Sequence, residues 1–223
     1  MDDLLHAAKH TPFMTTIDLK SGYHQISIDI IVLSETSEKH LDDLRAGFER
    51  LLLFKLQANR SKYNFACERV KYLEHYITSS GVQVDPDKAA AIREMVPPKN
   101  VKQVQSFMQT CSWYRRFISN FTKKSRPLSN LTKKNAPWKW EEEEQKAFNT
   151  LTQCLKTAPI LKQVDDTKPF VIRTDTSNYA IGAVLLHGSG ADEHPIEYAS
   201  RLLNSAERNY SGERSARRSL DPQ

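Results

Sequence analysis

The sequence predicts an α+β fold in which strand-patterned segments at either end flank a helical, strongly basic middle. Three observations predict it. Runs rich in Thr, Ile and Val alternate in strand fashion between Phe13 and Ile31, between Phe54 and Asp85, and from Lys168 to Arg201. Apolar residues recur at helical spacing in the intervening segments, with Pro and Asp at the starts and Pro at the stops. Charge is also segregated. Pro97 to Trp138 holds nine cations (Lys99, Lys102, Arg115, Arg116, Lys123, Lys124, Arg126, Lys133, Lys134) and no Asp or Glu, against a net charge of +5 for the whole chain.

At 223 residues, with 39% apolar and 26% charged content, the chain has room for one or two domains with a real core. Its longest apolar runs, such as Leu51 to Phe54, are too short to span a membrane, and Met1 to Phe13 lacks the charged-then-apolar order of a signal peptide. Cys67, Cys111 and Cys154 are widely spaced and odd in number, which suggests neither a disulfide framework nor a zinc site. An intracellular location, cytoplasmic or nuclear, is expected. Aromatic residues (Phe107, Trp113, Tyr114, Phe117, Phe121, Trp138) are threaded through the basic stretch. Cations attract a phosphate backbone and release its counterions, while exposed rings stack on bases. The competing reading is two amphipathic helices with core rings and solvated lysines. A one-signed face is unusual without a partner, which favours nucleic acid.

Residues 1–12 read as a short amphipathic lead-in closed by Pro12, and Phe13 to Ile31 as strand around a turn at Ser21-Gly22. Within it, Thr16-Ile17-Asp18-Leu19-Lys20-Ser21-Gly22-Tyr23-His24-Gln25-Ile26 resembles the first catalytic motif of reverse transcriptases from gypsy-type LTR retrotransposons. There an Asp at the end of a palm strand binds metal, and Asp18 matches it. A turn-capping Asp is the bland alternative, outweighed by eleven consecutive fitting residues. In that family a long block separates this motif from a Tyr-x-Asp-Asp hairpin, followed by a run like Ile30-Ile31-Val32-Leu33-Ser34. Here that run comes a few residues after Gln25, and Ile28-Asp29 resembles a hairpin remnant with one Asp left. The resemblance therefore implies an internal deletion near 27–30 that removed the centre of palm and fingers. Two-metal phosphoryl transfer needs several carboxylates converging on ions about 3.5–4 Å apart. Asp18 and a displaced Asp29 are too few.

Leu41, Leu44, Phe48, Leu51 and Leu52 predict a helix that places Asp42-Asp43 on its wet face. Ser34 to Leu41 resembles the family's lead-in to such a helix. Phe54-Lys55-Leu56, Ser61 to Cys67 and Val70 to Thr78 read as strands, returning through Val82 and Val84 after a turn at Ser79-Ser80-Gly81. Val70 to Ile77 resembles the family's primer-holding hairpin, with Glu74 where a Gly is usual. Next to it, His75 reads as a hydrogen-bonded hairpin residue rather than a metal ligand. Asp85-Pro86 opens a helix that Pro97-Pro98 stops. A helix from Val101 to Ile118 buries Val101, Val104, Phe107, Met108, Cys111 and Phe117, and another runs from about Lys123 to Lys133. Both resemble the family's thumb, which rides along the template–primer duplex.

Trp138-Lys139-Trp140 gives way to Glu141 to Glu144, an acidic helix start favoured by the dipole. Ala147, Phe148, Leu151, Cys154 and Leu155 form that helix's apolar face, and the segment resembles the connection between polymerase and nuclease. Pro169 to Ser177, then Ala180 to Leu186, resemble the first two strands of a retroelement ribonuclease H, with Asp175 as a catalytic metal ligand. His194 to Arg201 is a third strand. Ser215 then stands where a catalytic Glu belongs, and the end reads as truncated.

The resemblance divides the chain into a palm remnant (1–85), a basic helical thumb (86–138), a connection (139–165) and an incomplete ribonuclease H-like mixed sheet (166–223). It implies RNA-directed DNA polymerisation and hybrid cleavage as parent activities, with Mg²⁺ as cofactor if any activity survives. Asp18, Asp29 and Asp175 are the candidate metal ligands, and Asp18 and Asp175 the candidate catalytic residues. The expected partner is an RNA–DNA or DNA duplex, met by Lys99, Lys102, Arg115, Arg116, Lys123, Lys124, Arg126, Trp113 and Tyr114; no membrane is expected. The chain is expected to be catalytically defective yet to bind nucleic acid. A residual metal-dependent enzyme and an inert pseudogene product are the alternatives.

Overall fold

The structure is a computed structural model that describes residues 12–19, 29–59, 62–162, 164 and 168–209. The expected lead-in, the turn at Ser21-Gly22 and the Ser215 region lie outside the described residues. Helix and sheet are mixed, and the chain divides into two compact units, 1–85 with 162–165, and 86–161 with 166–223.

The first unit is built from β1 (Phe13–Asp18), β2 (Asp29–Ser34), α1 (Ser37–Leu53), β3 (Asn64–Cys67), β4 (Arg69–Tyr72), β5 (His75–Thr78) and β6 (Gly81–Val84). One sheet has the order β2-β1-β3 and a second the order β4-β5-β6. β1 and β2 pair antiparallel residue for residue, from Phe13 opposite Ser34 to Asp18 opposite Asp29. The central strand β1 is the most buried, with Met14, Thr15 and Ile17 sealed from solvent.

α1 starts at Thr36, whose hydroxyl accepts the Lys39 amide at 3.2 Å, as an N-cap does. Its buried face differs from the expected one. His40, Leu44 and Leu51 are buried, whereas Leu41 and Leu52 are 64% and 79% exposed. A hydrogen-bonded chain turns the helix this way. The Ser34 hydroxyl donates to Asp43 Oδ2 at 2.7 Å and so accepts from His40 Nδ1 at 3.0 Å. His40 Nε2 then accepts from the Thr15 hydroxyl at 2.7 Å. Burial lowers the His40 pKa, in keeping with this neutral tautomer. Asp43 is thereby drawn into a polar network and is not on the wet face. Asp42 is exposed, 3.1 Å from Arg45. The segment Phe54-Lys55-Leu56 is not a strand either. Its amides close the helix end, bonding back to Arg50, Leu52 and Leu51.

Val70 to Thr78 is two strands joined at Leu73-Glu74, with Tyr72 opposite His75. Leu73 (φ +46) and Glu74 (φ +62) are both left-handed, the geometry of a two-residue turn that normally takes Asn-Gly. A non-glycine residue there costs about 1 kcal/mol. Glu74→Gly is expected to raise stability by about that amount, seen as a higher urea midpoint at unchanged m-value. His75 is buried, and its Nδ1–H donates to the Leu73 carbonyl at 2.8 Å, which holds the turn from inside.

The second unit comprises α2 (Pro86–Arg93), α3 (Val101–Trp113), a 3₁₀ turn (Arg115–Phe117), α4 (Phe121–Leu131), α5 (Glu142–Lys156), β7 (Phe170–Thr176), β8 (Ala180–His187) and β9 (His194–Leu202). α3 is capped by Asn100, whose side chain accepts the Gln103 amide at 3.0 Å. It ends at Trp113, short of the expected Ile118, because the chain tightens into the 3₁₀ turn. Val104, Phe107, Cys111, Phe148, Leu151 and Leu155 are buried, and the Phe107 and Phe148 rings lie 4.7 Å apart. The Glu144 carboxylate accepts the Glu141 amide at 3.0 Å, anchoring the acidic start of α5.

β7, β8 and β9 form an antiparallel sheet in sequence order. The apolar face of α5 is a sequence-level candidate to shield this sheet. The structure covers it instead with the 3₁₀ turn and α4, while α5 packs on α4 and α2. Phe170 and Ile172, whose parity on β7 is opposite to that of Asp175, stay exposed. Among the described residues, no helix is long and apolar enough to cross a membrane.

Candidate carboxylate sites and nucleic-acid interface

Asp18 closes β1, and the antiparallel register sets Asp29 directly across from it. Paired Cα atoms in such a ladder are about 4.5–5.5 Å apart. Lys62 Nζ lies 2.7 Å from Asp18 Oδ2, so a cation of the chain itself already meets this carboxylate.

Asp175 is in the second unit, on β7. Gly182 of β8 is opposite it, and Ser200 of β9 is opposite Gly182, so the three form one row across the sheet. Residues 120–122 grip that row. Asn120, in the left-handed region at φ +53, donates from Nδ2 to Asp175 Oδ2 at 2.9 Å. A Cβ on Gly182 would collide with Asn120 Oδ1, so only glycine leaves room for this approach. The Thr122 amide and hydroxyl both donate to the Ser200 hydroxyl at 3.0 Å. No periodicity or charge pattern marks Asn120. The one available signal is that Asn tolerates a left-handed backbone.

Among the described residues the donor sets do not make up a two-metal centre, which needs several converging carboxylates. Among the described residues no three His, Cys, Asp or Glu side chains come together. Asp18 is matched with Lys62, and Asp175 with an amide that donates rather than accepts.

The structure sorts the cations of the basic stretch. Lys99, Lys102, Lys123, Lys133 and Lys134 are exposed, with no ion-pair partner among the described residues. Arg126 lies over the Tyr179 ring at 3.8 Å. Lys124 Nζ donates to the Ser119 hydroxyl at 2.9 Å and lies 3.5 Å from Cys154 Sγ. Arg115 donates to the Ser200 carbonyl at 2.5 Å. Arg116 is buried, 3.4 Å from Glu197, and does not present itself to an outside phosphate. Tyr114 is also fully buried, so it cannot stack on a base, and Phe107, Phe117 and Phe121 are core. Trp113 and Trp138 remain 39% exposed.

Residues 140–215 match a family described as the RNase H-like domain found in reverse transcriptase. The chain is 38% identical over 193 residues to a retrovirus-related Pol polyprotein from transposon opus of Drosophila melanogaster, covering 82% of this chain and 19% of that protein. It is 36% identical over 184 residues to the corresponding polyprotein from transposon 412 of the same organism, covering 82% of the chain and 15% of the polyprotein. A transposon Tf2-3 polyprotein of Schizosaccharomyces pombe is 29% identical over 184 residues, covering 82% and 14%. The chain thus spans less than a fifth of the length of these curated relatives. Among solved structures, a foamy viral protease-reverse transcriptase in complex with double-stranded DNA superposes with a TM-score of 0.80 at 20% identity, covering 96% of this chain and 47% of that one. The foamy viral protein in complex with an RNA/DNA hybrid gives 0.78 at 19%, covering 97% and 37%.

Proposed function

We propose, on the premise that this chain is a segment of a gypsy-type retrotransposon Pol polyprotein, that it binds nucleic-acid duplex through the exposed lysines of 97–138 and lacks a complete centre for phosphoryl transfer. Residues 1–85 are read as a palm remnant with a deletion near 27–30, 86–138 as a thumb, 139–165 as a connection, and 166–223 as part of a ribonuclease H-like domain. One observation carries the binding: five exposed lysines without ion-pair partners among the described residues lie on one acid-free stretch. The foamy viral proteins of similar fold were solved on double-stranded DNA and on an RNA/DNA hybrid, which supports duplex as the ligand class. The catalytic defect rests on isolated carboxylates, since no cluster of three acidic or other ligating side chains forms around Asp18 or Asp175 among the described residues.

The test is fluorescence anisotropy with a DNA duplex and an RNA–DNA hybrid across a salt series. Five phosphate contacts predict a log–log salt slope of about −4 to −5. Each of Lys99→Ser, Lys102→Ser and Lys123→Ser should flatten the slope by about one. Absent or salt-independent binding overturns the reading.

A second reading, a residual enzyme, draws on the register that keeps Asp18 opposite Asp29. It requires magnesium-dependent primer extension abolished by Asp18→Asn, or hybrid cleavage abolished by Asp175→Asn.

A further inference from the structure

Six aromatic rings are threaded through the cationic stretch, and folding removes four of them into the core. Of the two left at the surface, Trp138 lines a groove of about 610 Å³ together with Val96, Pro97, Lys99, Trp140 and Gln145. The groove is held rigidly. The Trp140 indole N–H donates to Gln145 Oε1 at 3.0 Å, and its ring meets the buried Phe148 edge-on at 6.3 Å. Trp138 stacks on Trp140 with centroids 6.0 Å apart and planes 23° from parallel. One indole is thus fixed to the core and a second is laid on it, partly open to solvent.

We propose that this groove receives an unpaired nucleobase of single-stranded nucleic acid, the base stacking on Trp138 and the adjoining phosphate meeting Lys99. The proposal deepens the nucleic-acid reading above and rests on it. A duplex keeps its bases paired and stacked, so it cannot offer a ring face to such a slot, whereas a single strand can. Charge sets the direction of the strand. Lys99 lies at the groove, and exposed Lys102 follows it in α3; none of these groups has an ion-pair partner among the described residues. At the other side Lys139 is engaged with Glu141 at 2.8 Å, and Glu142 and Glu143 are exposed on the first turn of α5. Phosphates are therefore drawn along the Lys99 side and turned away from the α5 side. A proline-rich peptide with basic flanks is the rival occupant, since aromatic grooves beside carboxylates also suit that chemistry.

The experiment uses the full chain with a labelled short oligothymidylate and a labelled DNA duplex, followed by anisotropy and by indole quenching. Trp138→Ala is expected to weaken oligothymidylate binding about tenfold, equivalent to ~1.4 kcal/mol. Trp138→Phe should recover most of that loss, and both variants should leave duplex affinity within about twofold, far below one stacked base. Equal binding of oligothymidylate by a folded Trp138→Ala overturns the proposal. So does an equal loss on both ligands, or binding of a polyproline peptide where oligothymidylate gives no quenching. Should Trp138→Ala not fold, Trp138→Leu decides: about tenfold weaker oligothymidylate binding supports the slot, and unchanged binding overturns it. If neither nucleic acid binds, the broader reading fails. If duplex binds and oligothymidylate ignores Trp138, only this proposal fails.

Discussion

Arg116→Ala is expected to lower the unfolding free energy by about 2–3 kcal/mol while leaving duplex affinity and its salt slope unchanged. The guanidinium is buried and lies 3.4 Å from Glu197, which sits on β9, so the pair ties the 3₁₀ turn to the sheet. Breaking a fully buried pair costs about 3–5 kcal/mol because a charge is stranded. Here the Glu197 side chain is 33% exposed and can rehydrate, which places the cost below that range. The arginine stem also fills space that alanine leaves empty. Urea unfolding measures the loss, and anisotropy on the same protein separates it from binding. A flattened salt slope with unchanged stability would mean that Arg116 meets phosphate. Lys123→Ser is the reciprocal control, expected to change the slope and not the stability.

Gly182→Ala should cost about 1–3 kcal/mol, the range for forcing a methyl into a filled site. The added Cβ would meet Asn120 Oδ1, so the side chain that holds Asp175 must leave. Asn120 itself is free to change, because its left-handed backbone suits glycine. The expectation is therefore a strong interaction in a double-mutant cycle. Asn120→Gly alone should be near neutral, and Asn120→Gly with Gly182→Ala should recover most of the loss. Simple additivity of the two changes would show that Asn120 does not sit over the β8 backbone.

The elements of both units follow from local rules that a reader of the chain can apply. Pro86 opens a helix, Glu141 to Glu144 head another, and Phe170 to His187 alternate as two strands of one sheet. The misses share a cause. The leucines of α1 predict one face, yet the buried face is fixed by His40 and Asp43 bonding to Ser34 and Thr15 on neighbouring strands. Phe54 to Leu56 has strand composition, but its amides are claimed by the last turn of α1. In both cases a hydrogen-bond partner outweighs the pattern of side chains, on neighbouring strands in the first and at the preceding helix end in the second.

Sequence alone determined the strand and helix order apart from Phe54 to Leu56, the density of cations from Lys99 to Lys134, and the resemblance that motifs such as Thr16 to Ile26 carry. Only the tertiary structure decided which of those cations face outward and which ring lines a groove. It also decided that Asn120 reaches Asp175, 55 residues away, and that Arg115 reaches Ser200 across 85. Periodicity reports the neighbours a side chain has along its own helix or strand. Whether a charge is buried, paired or left to solvent depends on what the rest of the chain brings against it.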